Sequence, residues 1–191
     1  MRLGLDLDGC IYNFVDDFLG VLRSESYFEA KDVDDPGNGW DPPVYGFFRE
    51  LKMKPEEFGR WLNFGISKRQ LYRNGQPYPE AIEVIRGLRL KGHTIHIITH
   101  RTFEGRGVHN TMDWLQKSGL EFDSITFSED KTLVGVDLLL DDYEKNWKAA
   151  QDQGIECVLM SHSYNEHVTA ATRVDGWVQF GQIVELVYDL F

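Results

Sequence analysis

Two aspartates, Asp6 and Asp8, stand two apart at the end of an apolar run, and Asp141 and Asp142 close a second such run. A third apolar run ends in Thr99-His100-Arg101, and Lys131 falls between the second and third groups along the chain. Residues two apart on an extended chain point to the same side, so Asp6 and Asp8 can share one site. Crowded carboxylates repel each other unless a cation joins them. All-oxygen ligation suits Mg2+, which bridges readily to phosphate.

The chemistry this set suits is phosphoryl transfer. Asp6 can attack phosphorus to give an aspartyl-phosphate. Asp8 can protonate the leaving oxygen and later activate water. Thr99 offers a hydroxyl to a phosphate oxygen, and Lys131 offers a positive charge to the phosphate and to Asp6. Candidate metal ligands are Asp6, Asp8, Asp141 and Asp142, and His100 and Arg101 are candidate substrate-binding residues.

Each piece alone has a plainer reading. An Asp-x-Asp pair is usually a solvated turn, Asp141-Asp142 can cap the next helix, Thr99 is an ordinary strand residue and Lys131 an ordinary surface lysine. The joint pattern is stronger, because every piece closes or follows an apolar run in consistent order. A calcium loop starting at Asp6 fails on spacing: it wants an oxygen ligand where Cys10 stands and glycine where Ile11 stands.

The elements that must position these residues follow from periodicity. Strands are predicted over 2–7, 94–99, 124–127, 136–140 and 157–160, and helices over 12–22, 79–91, 108–118, 145–153 and 182–190. Strands alternating with helices imply βαβ units and a parallel sheet. Right-handed crossovers then bring every carboxyl end to one edge, where ligands of such sheets bind. From about residue 24 to 75 the composition shifts to turn-rich and aromatic sequence, with Pro55 opening a helix. The expected architecture is α/β: a Rossmann-like parallel sheet flanked by helices, with a core over 1–14 and 76–191 and a small helical cap inserted over 15–75. Trp40 and Trp61 either close over a ligand or pack the cap onto the core.

Composition narrows the function. A hydrophobic share of 42% supports a real core, and the 13% aromatic share suits a dense core or a stacking pocket. A net charge of -11 disfavours long nucleic acids while leaving small anionic esters open, given a metal and local basic residues. Cys10 and Cys157 have no ligand spacing and read as free, packed thiols in a reducing compartment. His96 and His100 lie on a strand and its end, which does not suit a metal pair. The first residues lack signal-peptide flanks and no apolar run approaches a membrane span, so the expected location is the cytoplasm, with no membrane partner. A homodimer stays open.

Leu5-Asp6-Leu7-Asp8-Gly9, Ile97-Ile98-Thr99, Lys131 and Leu138-Leu139-Leu140-Asp141-Asp142 together resemble the four motifs of the haloacid dehalogenase-like hydrolases. Within that superfamily the stretches 6–14, Tyr78-Pro79-Glu80-Ala81 and 130–142 are similar to the 5'(3')-deoxyribonucleotidases. The resemblance implies a Rossmann-like core, a cap after the first motif and Mg2+ held by the Asp6 carboxylate, the Asp8 main-chain carbonyl and Asp142. It also implies that Phe14 packs on a nucleobase, so the expected partner is a small phosphate ester, in first place a nucleotide. His100 departs from the pattern, in which a small hydroxyl residue usually follows the threonine. The competing expectations are a phosphatase for another small ester or a polynucleotide 3'-end, and a catalytically silent binding module of the same fold.

Overall fold

A computed structural model describes residues 1–101 and 106–188, with no account of the Tyr188 side chain. Six strands form one parallel sheet in the order β3-β2-β1-β4-β5-β6. They are β1 (Arg2–Leu5), β2 (Thr94–Thr99), β3 (Ser124–Phe127), β4 (Leu138–Asp141), β5 (Glu156–Met160) and β6 (Thr172–Val174). Helices α4 (Ala81–Leu90), α5 (Gly107–Ser118), α6 (Glu144–Asp152) and α7 (Trp177–Tyr188) connect or follow them. Strand β4 is wholly buried and β1 is buried from Leu3 to Leu5, and both read there as apolar runs, as a sheet covered on both faces demands.

Strand order reverses beside β1, with β2 on one side and β4 on the other. A crevice forms at such a switch point, outside the carboxyl ends of the strands. Register fixes what meets there. Leu5 pairs with Leu140, and the Asp6 amide donates to Leu140 O at 3.0 Å, so Asp6 emerges beside Asp141.

Between β1 and α4 the chain adds no strand. Helix α1 (Phe14–Ser24) starts at Asn13, whose side chain accepts from the Asp16 amide at 3.1 Å. Then come α2 (Tyr27–Lys31) and α3 (Pro55–Phe64), the latter opened by a proline whose missing N–H costs a helix nothing there. Aromatic rings hold this insert together: Phe18 packs on Phe47 and Phe58, and Trp61 on Tyr27 and Phe64. Its return is tied to α5, where buried Asn110 donates to Ile66 O and Leu71 O at 3.0 and 2.9 Å.

Four sequence expectations shift. The first strand ends at Leu5 rather than 7, where the chain turns and Leu7 O accepts from the Ile11 and Tyr12 amides at 2.8 and 2.7 Å. The run over 136–140 becomes strand at Leu138–Asp141; before it, Asp137 donates its amide to Arg2 O at 2.8 Å and its carboxylate accepts from the Arg2 amide at 2.7 Å. The last helix starts at Trp177 rather than 182, with Gly181 tolerated inside it. Strand β6 adds to the five strands expected, since three residues at a sheet edge give no periodic signal.

Candidate active site

The three strand ends and Lys131 meet on one edge. Asp6 follows β1, Thr99 closes β2, Asp141 closes β4 and Lys131 opens a short turn of helix after β3. The carboxylates of Asp6, Asp141 and Asp142 each offer an oxygen within 4.8 Å of the others, and all three are buried.

Electrostatics explain the arrangement. Lys131 donates to Asp6 Oδ1 at 2.7 Å and to Ile98 O at 2.6 Å. Burial works against its charge, but Asp6 and Asp141 outweigh that and raise its pKa. The Leu7 amide also donates to Asp6 Oδ1, at 2.8 Å. Among the described residues both donors to Asp6 fall on Oδ1, which leaves Oδ2 open. Burial and then the Asp6 charge push the Asp142 carboxyl up to about 7 and Asp141 well above the usual carboxylate range. One lysine therefore does not neutralise the cluster.

The two last aspartates differ in their partners. Both oxygens of Asp141 accept from Asn146 Nδ2 at 3.0 Å, and Oδ1 also accepts from the Tyr143 amide at 2.9 Å. Asp142 accepts from the Tyr164 hydroxyl, and its main-chain oxygen takes a bond from buried Asn165 at 2.7 Å. Three buried carboxylates with excess negative charge and oxygen donors only fit a hard divalent cation such as Mg2+.

Asp8 and Arg101 form a separate unit. Arg101 Nη1 and Nη2 donate to the two Asp8 oxygens at 2.7 and 2.8 Å. Burial raises the Asp8 pKa against the pull of that guanidinium. Thr99 lies between the two groups, 3.1 Å from Arg101 Nη1. Thr99, His100 and Asp8 line the cavity above the carboxylates, whereas Arg101 turns inward and is buried. His100 is half-exposed at the rim and approaches Glu129 at 3.5 Å.

The cavity measures about 420 Å³, within the range of small-molecule sites. Its floor includes Asp6, Asp8, Lys131 and Asp142. One wall is aromatic, built from Phe14, Trp40, Phe47, Phe58 and Tyr72. Phe14 opens α1 at this wall and stacks on Tyr72 at 5.6 Å and on Phe18 at 5.9 Å. Trp61 packs inside the insert, while Trp40 faces the cavity and meets Phe47 edge-on. Cys10 is fully buried, and burial with the Asp142 and Asp6 charges pushes its thiol pKa well up, as a packed thiol requires.

Sequence reasoning missed further residues that line the cavity. Tyr45 stacks on Tyr143 at 3.9 Å and meets Tyr164 edge-on. His162 lies between Gly9 O, 2.7 Å from Nε2, and Asp41, 3.1 Å from Nδ1. Asp41 also accepts from the Ser163 amide and hydroxyl at 2.7 Å. These residues come from turns without period or motif, so nothing in the sequence singled them out.

A likeness to known proteins agrees with this geometry. Residues 1–190 match the model of the family described as "5' nucleotidase, deoxy (Pyrimidine), cytosolic type C protein". A Chlorobaculum tepidum protein named "Putative 5'(3')-deoxyribonucleotidase" is 27% identical over 173 residues, covering 87% of this chain and 81% of its own length. Among solved structures, a haloacid dehalogenase-like family hydrolase from Streptococcus pneumoniae aligns with TM-score 0.57 at 16% identity, over 84% of each chain. The magnesium-bound YfnB structure from Bacillus subtilis aligns with TM-score 0.60 at 18% identity, over 96% of this chain and 98% of that one. The two structures speak for the fold alone. The family match spans nearly the whole chain, including every strand that feeds the site, and the chain belongs to the deoxy (pyrimidine), cytosolic type C 5'-nucleotidase family, phosphatases of haloacid dehalogenase-like fold.

Proposed function

We propose that this chain is a Mg2+-dependent phosphomonoesterase that works through an aspartyl-phosphate on Asp6 and releases phosphate from (deoxy)nucleoside monophosphates. The observation that carries the reading is the buried Asp6–Asp141–Asp142 cluster with Lys131, set on the floor of an aromatic-walled cavity. Mg2+ bound by Asp6, Asp142 and the Asp8 main-chain carbonyl, with Asp141 beside them, would offset the charge that the carboxylates and a phosphate bring together.

The chain's own residues carry the steps. Asp6 Oδ2, free of protein donors among the described residues, forms the bond to phosphorus as the ester P–O bond breaks. Asp8 gives its proton to the departing alkoxide, then takes one from the water that attacks the aspartyl-phosphate. That second attack breaks the Asp6–phosphorus bond and frees phosphate. The Arg101 fork uses one lone pair on each Asp8 oxygen and leaves others for these transfers. Lys131 and the Thr99 hydroxyl bind non-bridging phosphate oxygens. His100, at the rim, faces the leaving portion of the substrate.

Residues 15–75 act as the cap over a core of 1–14 and 76–191, and their rings, with Phe14, stack the base. The cavity suits one nucleotide and not a strand of nucleic acid. Among the described residues no helix is long and apolar enough to cross a membrane. The test is phosphate release across nucleoside mono- and diphosphates, sugar phosphates and pyridoxal phosphate, with and without Mg2+. Preference for (deoxy)nucleoside monophosphates supports the reading, and a preference for a sugar phosphate overturns its substrate half.

A further inference from the structure

Arg101 has its donors committed inside the protein. Nε donates to Thr111 Oγ1 at 2.8 Å. Nη1 reaches Asp8 Oδ2 at 2.7 Å, Thr99 Oγ1 at 3.1 Å and His100 O at 2.7 Å, and Nη2 reaches Asp8 Oδ1 at 2.8 Å. Among the described residues these bonds take four of the five N–H groups of the guanidinium and leave one Nη2 hydrogen. One face of the guanidinium is also covered: its carbon sits 3.8 Å from the centre of the Tyr72 ring. The side chain is 2% exposed and does not line the cavity. A residue built to grip a substrate phosphate keeps its fork open toward the ligand, and this one is closed.

We propose that Arg101 is a positioning residue that aims Asp8 and Thr99, and not a ligand for the substrate phosphate. This rests on Asp8 being the proton donor and acceptor of the proposed reaction. A planar fork fixes a carboxylate in both position and plane, which a single point charge cannot do. The same Nη1 donates to Thr99 Oγ1, so the Thr99 hydroxyl keeps its own hydrogen for a phosphate oxygen. The group that acts on the leaving oxygen and a group that binds a non-bridging oxygen of the same phosphoryl are thus tied to one rigid plane. That plane is held from behind by Thr111 on α5 and covered by Tyr72, which comes from the end of the insert. Tyr72 holds a left-handed backbone, φ 67°, with its amide bonded to Asp17 at 3.1 Å. The insert therefore helps hold the group that aims the proton donor.

The test separates leaving-group protonation from phosphate binding. Phenyl phosphate and p-nitrophenyl phosphate have nearly the same shape, but nitrophenolate leaves without needing a proton and phenolate gains from one. Their kcat/KM values report only the steps up to release of the phenol, before the shared dephosphorylation. Wild type, Arg101→Lys, Arg101→Gln, Thr111→Val and Asp8→Asn are compared, with melting temperatures and the inhibition constant of inorganic phosphate.

The expected result is that Arg101→Gln lowers kcat/KM for phenyl phosphate about 10- to 100-fold more than for p-nitrophenyl phosphate, since a small misaiming of a catalytic group can cost that much. Phosphate inhibition should stay within about threefold of wild type, because the guanidinium itself does not touch the anion and Thr99 keeps its hydroxyl, losing only its aim. Arg101→Lys should recover the charge without the discrimination. Thr111→Val, which leaves the fork intact but loosens it, should shift the ratio the same way by less, and it carries the test if the Arg101 variants do not fold. Equal losses on both substrates, or phosphate inhibition that weakens in step with activity, would overturn the proposal. A ratio unchanged in Asp8→Asn would remove the acid role itself and this inference with it. A ratio shifted in Asp8→Asn but not in the Arg101 and Thr111 variants would leave the acid role standing and sink the inference alone.

Discussion

Replacing Phe14 with alanine tests whether the aromatic wall reads a base. The Phe14 ring is half-buried, stacked against Tyr72 and Phe18 and edge-on to Phe47 at 6.2 Å, and it lines the cavity. A fully buried phenylalanine costs about 3–5 kcal/mol on truncation, so a half-buried one should cost about 2 kcal/mol. For a chain of this size that lowers Tm by about 4–8 °C. A base packed on the part of the ring that lines the cavity adds about 1–3 kcal/mol of binding, so its loss lowers kcat/KM by roughly 5- to 150-fold. The assay is kcat/KM for a deoxynucleoside monophosphate and for p-nitrophenyl phosphate in wild type and Phe14→Ala, well below the variant's Tm. The nucleotide should suffer much more, because the smaller nitrophenyl ring has less surface to stack. Equal losses with the expected drop in Tm would mean that Phe14 only packs the insert onto the core, and would remove the main reason for preferring nucleotides.

Three other perturbations probe the acidic floor. EDTA should abolish phosphate release and Mg2+ should restore it, and undiminished turnover in EDTA would refute the reading of the carboxylate cluster as a metal site. Without metal, melting temperature should fall as pH rises from about 4 to about 7. The folded state raises the Asp142 carboxyl from 3.8 to about 7, so it holds that proton more tightly than the unfolded chain, and the stability present at low pH is lost as the group ionises. Added Mg2+ should flatten that slope, and a metal-free Tm that rises over the same range would contradict the charge crowding inferred for the cluster. Gly9→Ala should weaken Mg2+ activation at least tenfold on the order-of-magnitude scale of a displaced ligand. Its new Cβ would stand 2.6 Å from Asp142 Cγ, at a left-handed φ of 77° that only glycine adopts easily. A Gly9→Ala enzyme with normal Mg2+ dependence would show that Asp142 is not held where its ligand role requires.

Much of this site is legible in the sequence because its key residues end buried strands. Strands 94–99 and 124–127 come out at the bounds predicted, since each is a short stretch of β-branched and aromatic residues closed by polar ones. Asp6, Thr99, Lys131, Asp141 and Asp142 converge because a parallel sheet leaves them no other edge. Residue type also flagged Arg101, but not its partner: nothing local tells a guanidinium whether to turn to a substrate or to a carboxylate 93 residues away. Tyr164, Asn165 and His162 stayed invisible for the same reason, since their bonds to Asp142 and Gly9 cross 22 or more residues and their segment has no period. The insert was readable as aromatic and packed, yet which rings face the cavity depends on tertiary angles. Trp40 lines the wall while Trp61, of the same type, packs on Tyr27 and Phe64.

The central claim is that Asp6 takes the phosphoryl group, and one measurement addresses it directly. Enzyme turning over a nucleoside monophosphate is quenched in acid, digested and weighed by mass spectrometry, beside Asp6→Asn treated alike. The expected result is one phosphoryl group on the peptide that contains Asp6 in wild type, none in the variant, and a folded variant with almost no turnover, because an amide cannot attack phosphorus. A phosphoryl group on another residue, or turnover in Asp6→Asn within about tenfold of wild type, would contradict it.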